Sequence, residues 1–189
     1  MKTAMILGTA LAVVWTTSAV SGEIESRSQA SRAVVKSFFG SLKGELVGAM
    51  KAGGPAHAIQ VCNKKAPGIA QRISDEKGWR VARTSLKLRN PANAPDAWER
   101  RVLMQFDERK RAGEDPAKME YAEIVDRNGE KVFRYMKAIP TAEVCTKCHG
   151  EKVAPGVEEK LAELYPTDKA RGYHVGDIRG AFTITQPLD

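Results

Sequence analysis

The sequence predicts a single α+β domain in which flanking helices pack on an antiparallel sheet. Three observations predict it. Helical periodicity opens the chain. Alternating runs flank Asn128-Gly129, a strong β-hairpin signal. The later helices and strands do not follow the regular β-α-β alternation of a parallel sheet. The expected order is two helices, a strand, a helix, two hairpin strands, a short helical segment, a short helix and a closing strand.

The 189-residue chain begins with a stretch that reads as a leader. Lys2 gives a minimal positive start, Ala4 to Val14 is largely apolar, and Ala19-Val20-Ser21 fits the small-x-small cleavage rule. The apolar run is short for a transmembrane helix, which needs about 20 residues. The expected division is a signal peptide over 1–21 and one domain over 22–189, exported to the periplasm. A retained N-terminal anchor is the alternative; after cleavage no membrane span is expected.

Glu23 to Ser31 reads as a frayed lead-in, with Ser31 a candidate N-cap. Val35, Phe38, Phe39, Leu42, Leu46 and Met50 then recur at helical spacing. Gly40, Gly44 and Gly48 weaken that helix and suggest a thin face that another helix could approach. Gly53-Gly54 ends it, and Pro55 can open the next helix. There Ala58, Ile59, Cys62 and Ala66 form an apolar stripe, so Cys62 points inward. His57 lies five residues earlier, about 140° away round the helix, and does not share that face. Pro67-Gly68 is expected to interrupt the helix.

Trp79 to Ser85 alternates as a strand, and Asn90-Pro91 with Asn93-Ala94-Pro95 forms a turn-rich connection. Asp96 to Glu99 fits a capping box, with Trp98, Val102, Leu103 and Phe106 inward and Gly113 past the end. Met119 to Val125 and Lys131 to Met136 are the hairpin strands. Val157 to Leu164 is a short helix, and Ile178 to Thr185 closes the sheet.

The formal net charge of +7 is moderately basic. Basic residues are scattered among acids, which reads as a solvated surface rather than a nucleic-acid footprint. No Walker loop, helix-turn-helix pattern or aromatic RNA-binding motif occurs.

Cys145-Thr146-Lys147-Cys148-His149 carries the chemistry. It reads C-x-x-C-H, the attachment pattern for one covalent c-type haem. Two thiols at this spacing can form thioethers to the two vinyl groups of one porphyrin. His149 is then held beneath the iron as proximal ligand. A redox disulfide or half a zinc site are the competing readings, but no second C-x-x-C and no surrounding β-α-β pattern support them. Attachment would call on the cytochrome c maturation machinery. The motif lies three-quarters of the way along, whereas an all-helical class I cytochrome c carries it near its N-terminus.

Cys62 is left without a partner cysteine in an oxidising compartment, so it is either buried and inert or a ligand. By residue type alone a buried helical Cys is usually a small hydrophobe. The other candidates for the sixth position are His57, His174 and the methionines. Arg83, Lys87 and Arg89, on a strand end and the following turn, could pair with haem propionates or be ordinary surface charges. Trp98 and Tyr173 could line the pocket or belong to the core. Asn90 and Asn93 read as turn residues.

The assembled stretches resemble a specific family. They are Ala58 to Cys62 with Ala66 to Ala70, Gly78 to Ser85, Arg89 to Asn93 through Glu99, Cys145 to Gly150, and Tyr165-Pro166 through Asp168, Ala170, Gly172-Tyr173, Gly176-Asp177 and Arg179-Gly180-Ala181. The family comprises exported single-haem c-type proteins with a PAS-like domain, long catalogued as a domain of unknown function. Related domains form the sensory part of some histidine kinases. The resemblance implies a PAS-like antiparallel sheet, one covalent haem, and iron held between His149 and a thiolate at the position of Cys62.

Three functions compete. A redox or ligand sensor is favoured by the resemblance, and a partner protein would read its state. A periplasmic electron carrier fits one haem and a basic surface that could dock an acidic redox partner. An enzyme acting on peroxide or nitrogen oxides needs an open sixth site and a distal acid–base group. No paired carboxylates or nucleophile constellation support that, so the sequence favours a non-enzymatic role.

Overall fold

The structure, a computed structural model, describes residues 14–188. Residues 1–13 of the expected leader therefore lie outside the described residues, and the expected cleavage point after Ser21 falls within the first helix. That helix, α1, spans Val14–Lys77 and breaks at Gly53 and Gly54. Gly54 has φ +72°, and a Cβ on Gly53 would sit 2.9 Å from the His57 Cβ, so this break needs glycine at both positions. α1 is thus two arms, 14–52 and 55–77, with Pro55 opening the second as expected.

Four strands follow: β1 (Arg80–Thr84), β2 (Glu120–Arg127), β3 (Glu130–Pro140) and β4 (Ile178–Pro187). They pair antiparallel in the order β1-β4-β3-β2. Between β1 and β2 lies α2 (Ala97–Arg111). Two short helices, α3 (Glu143–His149) and α4 (Pro155–Leu164), sit between β3 and β4. The α+β class with a PAS-like antiparallel sheet is as the sequence predicts.

The sheet is covered on both faces, and strand alternation decides which residues go where. Val81, Phe133, Tyr135, Phe182 and Ile184 face α1 and pack with Val34, Phe38 and Ile73. Met136, Ala138 and Ala181 face α2 and pack with Val102, Leu103 and Phe106. The α2 start is a full capping box: Asp96 Oδ1 accepts from the Glu99 N–H at 2.8 Å, and Glu99 Oε2 accepts from the Asp96 N–H at 3.0 Å. The β2–β3 turn has φ 59° at Asn128 and 87° at Gly129, the left-handed pair that a two-residue hairpin demands.

Four details differ from the sequence reading. The lead-in 23–31 is helical, with Ser28 and Ser31 buried; Gln186 Nε2 donates to Ser31 Oγ at 2.9 Å. These serines are packed against the end of β4, not solvated. Phe39 is exposed, because the buried stripe of the first arm runs through Ser31, Val34, Phe38 and Ala49. The second arm continues through Pro67, held by buried Ala66 and Ile73 on either side. Among the described residues no helix approaches Gly40, Gly44 or Gly48: a Cβ on any of them would meet nothing within 4 Å. Gly44 and Gly48 instead open onto a cleft between the two arms.

Candidate functional site

The second arm of α1 crosses the domain beside α3 and α4. Ile59 packs with Val157 and Leu161 of α4, and Cys148 lies against that cluster. Cys62 is one turn beyond Ile59 on the same face. It is half-buried and close enough to Cys148 for the two thiols to affect each other's charge, although they are far apart in the chain. Burial raises the Cys148 thiol pKa; Arg89 pulls it down, and the nearby Cys62 pushes it up again. Burial also raises the pKa of Cys62, against the pull of Arg83.

The C-x-x-C-H stretch is α3 itself, so Cys145 and Cys148 sit one turn apart on one face. Gly150 ends it. A Cβ there would lie 2.6 Å from the Thr146 carbonyl oxygen, so only glycine fits directly after His149. The stretch 168–173 runs alongside and fixes the geometry. Tyr173 N–H donates to the His149 carbonyl at 3.0 Å and Gly172 N–H to that of Gly150 at 3.1 Å.

His149 is set up as a nitrogen ligand. Its Nδ1 lies 2.9 Å from the Ala170 carbonyl oxygen, which can only accept, so Nδ1 carries the hydrogen and Nε2 the lone pair. Burial pushes its pKa well down, and Arg179, Arg89 and Arg83 push the same way, so the ring is neutral at pH 7. Tyr173 meets it edge-on, ring centroids 6.2 Å apart.

Three arginines surround the motif. Arg89 is the one with a carboxylate. Its Nε and Nη2 reach Asp168 at 3.2 and 3.0 Å, and Nη2 also donates to the Cys148 carbonyl at 2.6 Å. Arg83 and Arg179 form no ion pair among the described residues. Burial lowers the pKa of both; Arg179 adds to the lowering of Arg83, and Arg89 to that of Arg179. Arg179 Nε is buried with no hydrogen-bond partner among the described residues.

The backbone explains why Arg179 is here. Ile139 pairs with Gly180 and Pro140 with Ile178, so Arg179 is the extra residue of a β-bulge. Alternation would send residue 179 to the α2 face with Ala181 and Thr183. The bulge, with Gly180 at φ +149°, turns it toward Arg83 and Cys145 instead. Gly180 cannot carry a side chain, because a Cβ would sit 2.4 Å from the Thr84 carbonyl oxygen.

The pocket is therefore a cationic one, with two thiols and the imidazole on one wall, a third thiol nearby, and only the 3.4 Å contact of Arg89 Nη1 on the imidazole Nε2. Half-buried guanidinium groups without counter-charge are left partly desolvated, and a group bearing two carboxylates would satisfy both. The donor set fits a c-type haem.

A family model for Tll0287-like proteins matches residues 4–187. The chain belongs to the Tll0287-like family. It is similar to the crystal structure of the cyanobacterial heme-protein Tll0287, at 27% identity and a TM-score of 0.60, over 84% of this chain and 96% of that one. No curated protein sequence matches it. The family and fold implied by the sequence resemblance are thus borne out.

In this Tll0287-like chain the structure brings together Cys62, Arg83, Arg89, Cys145, Cys148 and His149. It does not bring Lys87 to them. Lys87 is exposed, donating to the Arg171 carbonyl at 3.2 Å with its Nζ 4.9 Å from the centre of the Tyr173 ring. His174 is exposed beside Glu151 and Asp177, and His57 lines the cleft between the arms. Trp98 is core on the α2 side, donating to Glu123 Oε2 at 2.9 Å. Among the described residues no three His, Cys, Asp or Glu side chains gather as a set that could hold a metal ion by themselves. Sequence reasoning missed the roles of Arg179 and Asp168, while Tyr173, named as a possible lining residue, does lie against His149. The available signal for Arg179 was a charged residue beside a glycine at the start of an otherwise apolar strand.

Proposed function

We propose that this chain is an exported single-haem c-type protein, with its haem joined through Cys145 and Cys148, that acts as a redox or ligand sensor. The observation that carries the reading is His149. Its Nδ1–H is committed to the Ala170 carbonyl and its Nε2 lone pair meets only a long 3.4 Å contact from Arg89 Nη1, at the end of a helix that presents two cysteines one turn apart. The heme-protein similarity supports it. A bound haem supplies an iron that changes by one electron, at a potential set by its axial ligands and surroundings.

The chain's own groups then have distinct roles. Cys145 and Cys148 anchor covalently, through the cytochrome c maturation machinery. His149 would hold the iron through Nε2, with the Ala170 carbonyl fixing its tautomer and orientation. Cys62 would be a second iron ligand, as a thiolate. Arg83 and Arg179 take the propionates by charge-assisted hydrogen bonds. Lys87 keeps its contacts at Tyr173 and Arg171. Residues 1–21 direct export and are removed.

The sensing role rests on where Cys62 sits. It lies on the second arm of α1, whose chain link to the first is the break at Gly53 and Gly54. A change in what the sulfur is bonded to is therefore felt by a whole helix, whose far face lines an open cleft. A partner protein would read that change.

The test is the optical and electron-paramagnetic-resonance spectrum of the purified ferric protein beside Cys62→Ala. The wild type should be low-spin with a thiolate signature and a potential well below that of His/Met cytochromes. Cys62→Ala should move toward high spin and a higher potential. Identical spectra and potentials would reduce Cys62 to a core residue and remove the sensing argument.

A further inference from the structure

Arg89 holds three segments at once. Beyond Asp168 and the Cys148 carbonyl, its Nη2 lies 3.3 Å from the Ala170 carbonyl oxygen, the same oxygen that accepts from His149 Nδ1–H at 2.9 Å. Its Nη1 lies 3.4 Å from His149 Nε2. Asp168 is 5% exposed, and it also accepts from the Ala170 N–H at 2.9 Å and from Arg171 Nε at 2.8 Å. The acceptor that orients the candidate iron ligand is thus shared with a guanidinium, and that guanidinium is shared with a carboxylate.

We infer that the Arg89–Asp168 pair is a positioning and tuning device for His149, setting how strongly this imidazole donates. The inference rests on the haem reading above. A carbonyl accepting from Nδ1–H makes the ring a stronger electron donor. A cation on the same carbonyl draws its electron density away and weakens that push. Arg89 also adds positive charge directly beside the ring. Both effects disfavour the ferric state, so Arg89 raises the potential. Asp168 opposes both by neutralising Arg89. When Nε2 takes its metal, Arg89 gives up only the 3.4 Å contact; its hold on Asp168 and on the two carbonyls is compatible with ligation.

The sign of the two effects separates tuning from mere bracing. If the pair only braced the loop, breaking it from either side would loosen the same contacts and move the potential the same way. If it tunes, Arg89→Gln lowers the potential and Asp168→Asn raises it.

The experiment uses the exported, haem-loaded protein. Each variant is first run on denaturing electrophoresis and stained for haem, then titrated potentiometrically. Arg89→Gln should lower the midpoint by about 59 mV, a tenfold rise in the ferric-to-ferrous ratio at fixed ambient potential. Asp168→Asn should move it the other way. Arg89→Lys keeps the charge but not the fork, and should lie closer to wild type than Arg89→Gln does. If Asp168→Asn does not accumulate, the Lys and Gln variants at position 89 carry the test alone. Haem-stained variants whose potentials shift together, do not shift, or are equally low for Lys and Gln overturn the inference and leave the haem reading standing. A wild type without covalent haem overturns the haem reading itself.

Discussion

Two clusters of arginine flank β1, one on each face of the sheet. On the α2 face, Arg80 and Arg134 converge on Glu99 at 3.0 and 3.1 Å, Thr183 donates to the same carboxylate at 2.8 Å, and Asp96 takes Arg134 at 2.8 Å. Arg134 also lies over the Trp98 ring, 4.2 Å from its centre. On the α1 face, Arg83 and Arg179 meet cysteines, a neutral histidine and each other. The first cluster has its carboxylates within the protein, although Arg134 Nε is buried without a hydrogen-bond partner. Among the described residues the second has its cations and no carboxylate. The chain therefore neutralises a buried guanidinium at one place and leaves two half-buried ones to something else at the other.

The largest effect should come from breaking the complete cluster. Glu99 is fully buried, and Glu99→Gln leaves Arg134 buried with a neutral partner. Removing one member of a buried pair costs about 3–5 kcal/mol. Urea unfolding of the variant should show a midpoint far below wild type; a change within error would mean that Asp96 alone suffices for Arg134.

The opposite result is expected in the incomplete cluster. In chain prepared without haem, Arg179→Met removes a half-buried charge that has no carboxylate among the described residues. It should be neutral or mildly stabilising. A loss as large as that of Glu99→Gln would contradict the comparison, since it would mean Arg179 is already paired.

The smallest effect concerns acid. Burial raises the Asp96 carboxyl, but the Glu99 N–H and Arg134 more than offset it, holding its pKa below the usual 3.8. The unfolded chain thus takes up this proton first as pH falls. The stability Asp96 contributes is complete above pH 3.8 and is lost as pH drops through the lower folded-state value. Thermal midpoints measured down the acid range should fall less steeply for Asp96→Asn than for wild type. Parallel curves would show that the pair contributes nothing in water.

The difference between the clusters also marks what could be read in advance. The complete one was half legible: Asp96 to Glu99 is a capping box written in four consecutive residues, and the same box supplies both carboxylates. Cys145 to His149 was legible for the same reason, as was the Asn128-Gly129 turn; local spacing determines each. Arg179 was not, because its direction depends on a bulge created by pairing with β3, a strand far away in sequence. Lys87 was read with Arg83 and Arg89 because they are close in sequence. Yet Arg83 lies in β1 and Lys87 beyond its end, where the chain has turned toward Tyr173. Cys62 was placed inward by its stripe, but nothing local says that the stripe covers α3. Ser31 read as the N-cap after a frayed lead-in; only the buried end of β4, through Gln186, gives it a partner instead.

The central claim is that Cys145, Cys148 and His149 form the attachment site of one haem, whose carboxylates complete the charge of Arg83 and Arg179. The direct measurement is the intact mass of the exported protein after acid-acetone extraction, compared with a Cys145→Ala, Cys148→Ala double variant. The account predicts that wild type retains the mass of the polypeptide plus one haem and that the double variant shows the polypeptide alone. A wild type whose mass is that of the bare polypeptide, with any haem found in the acetone phase, would contradict it.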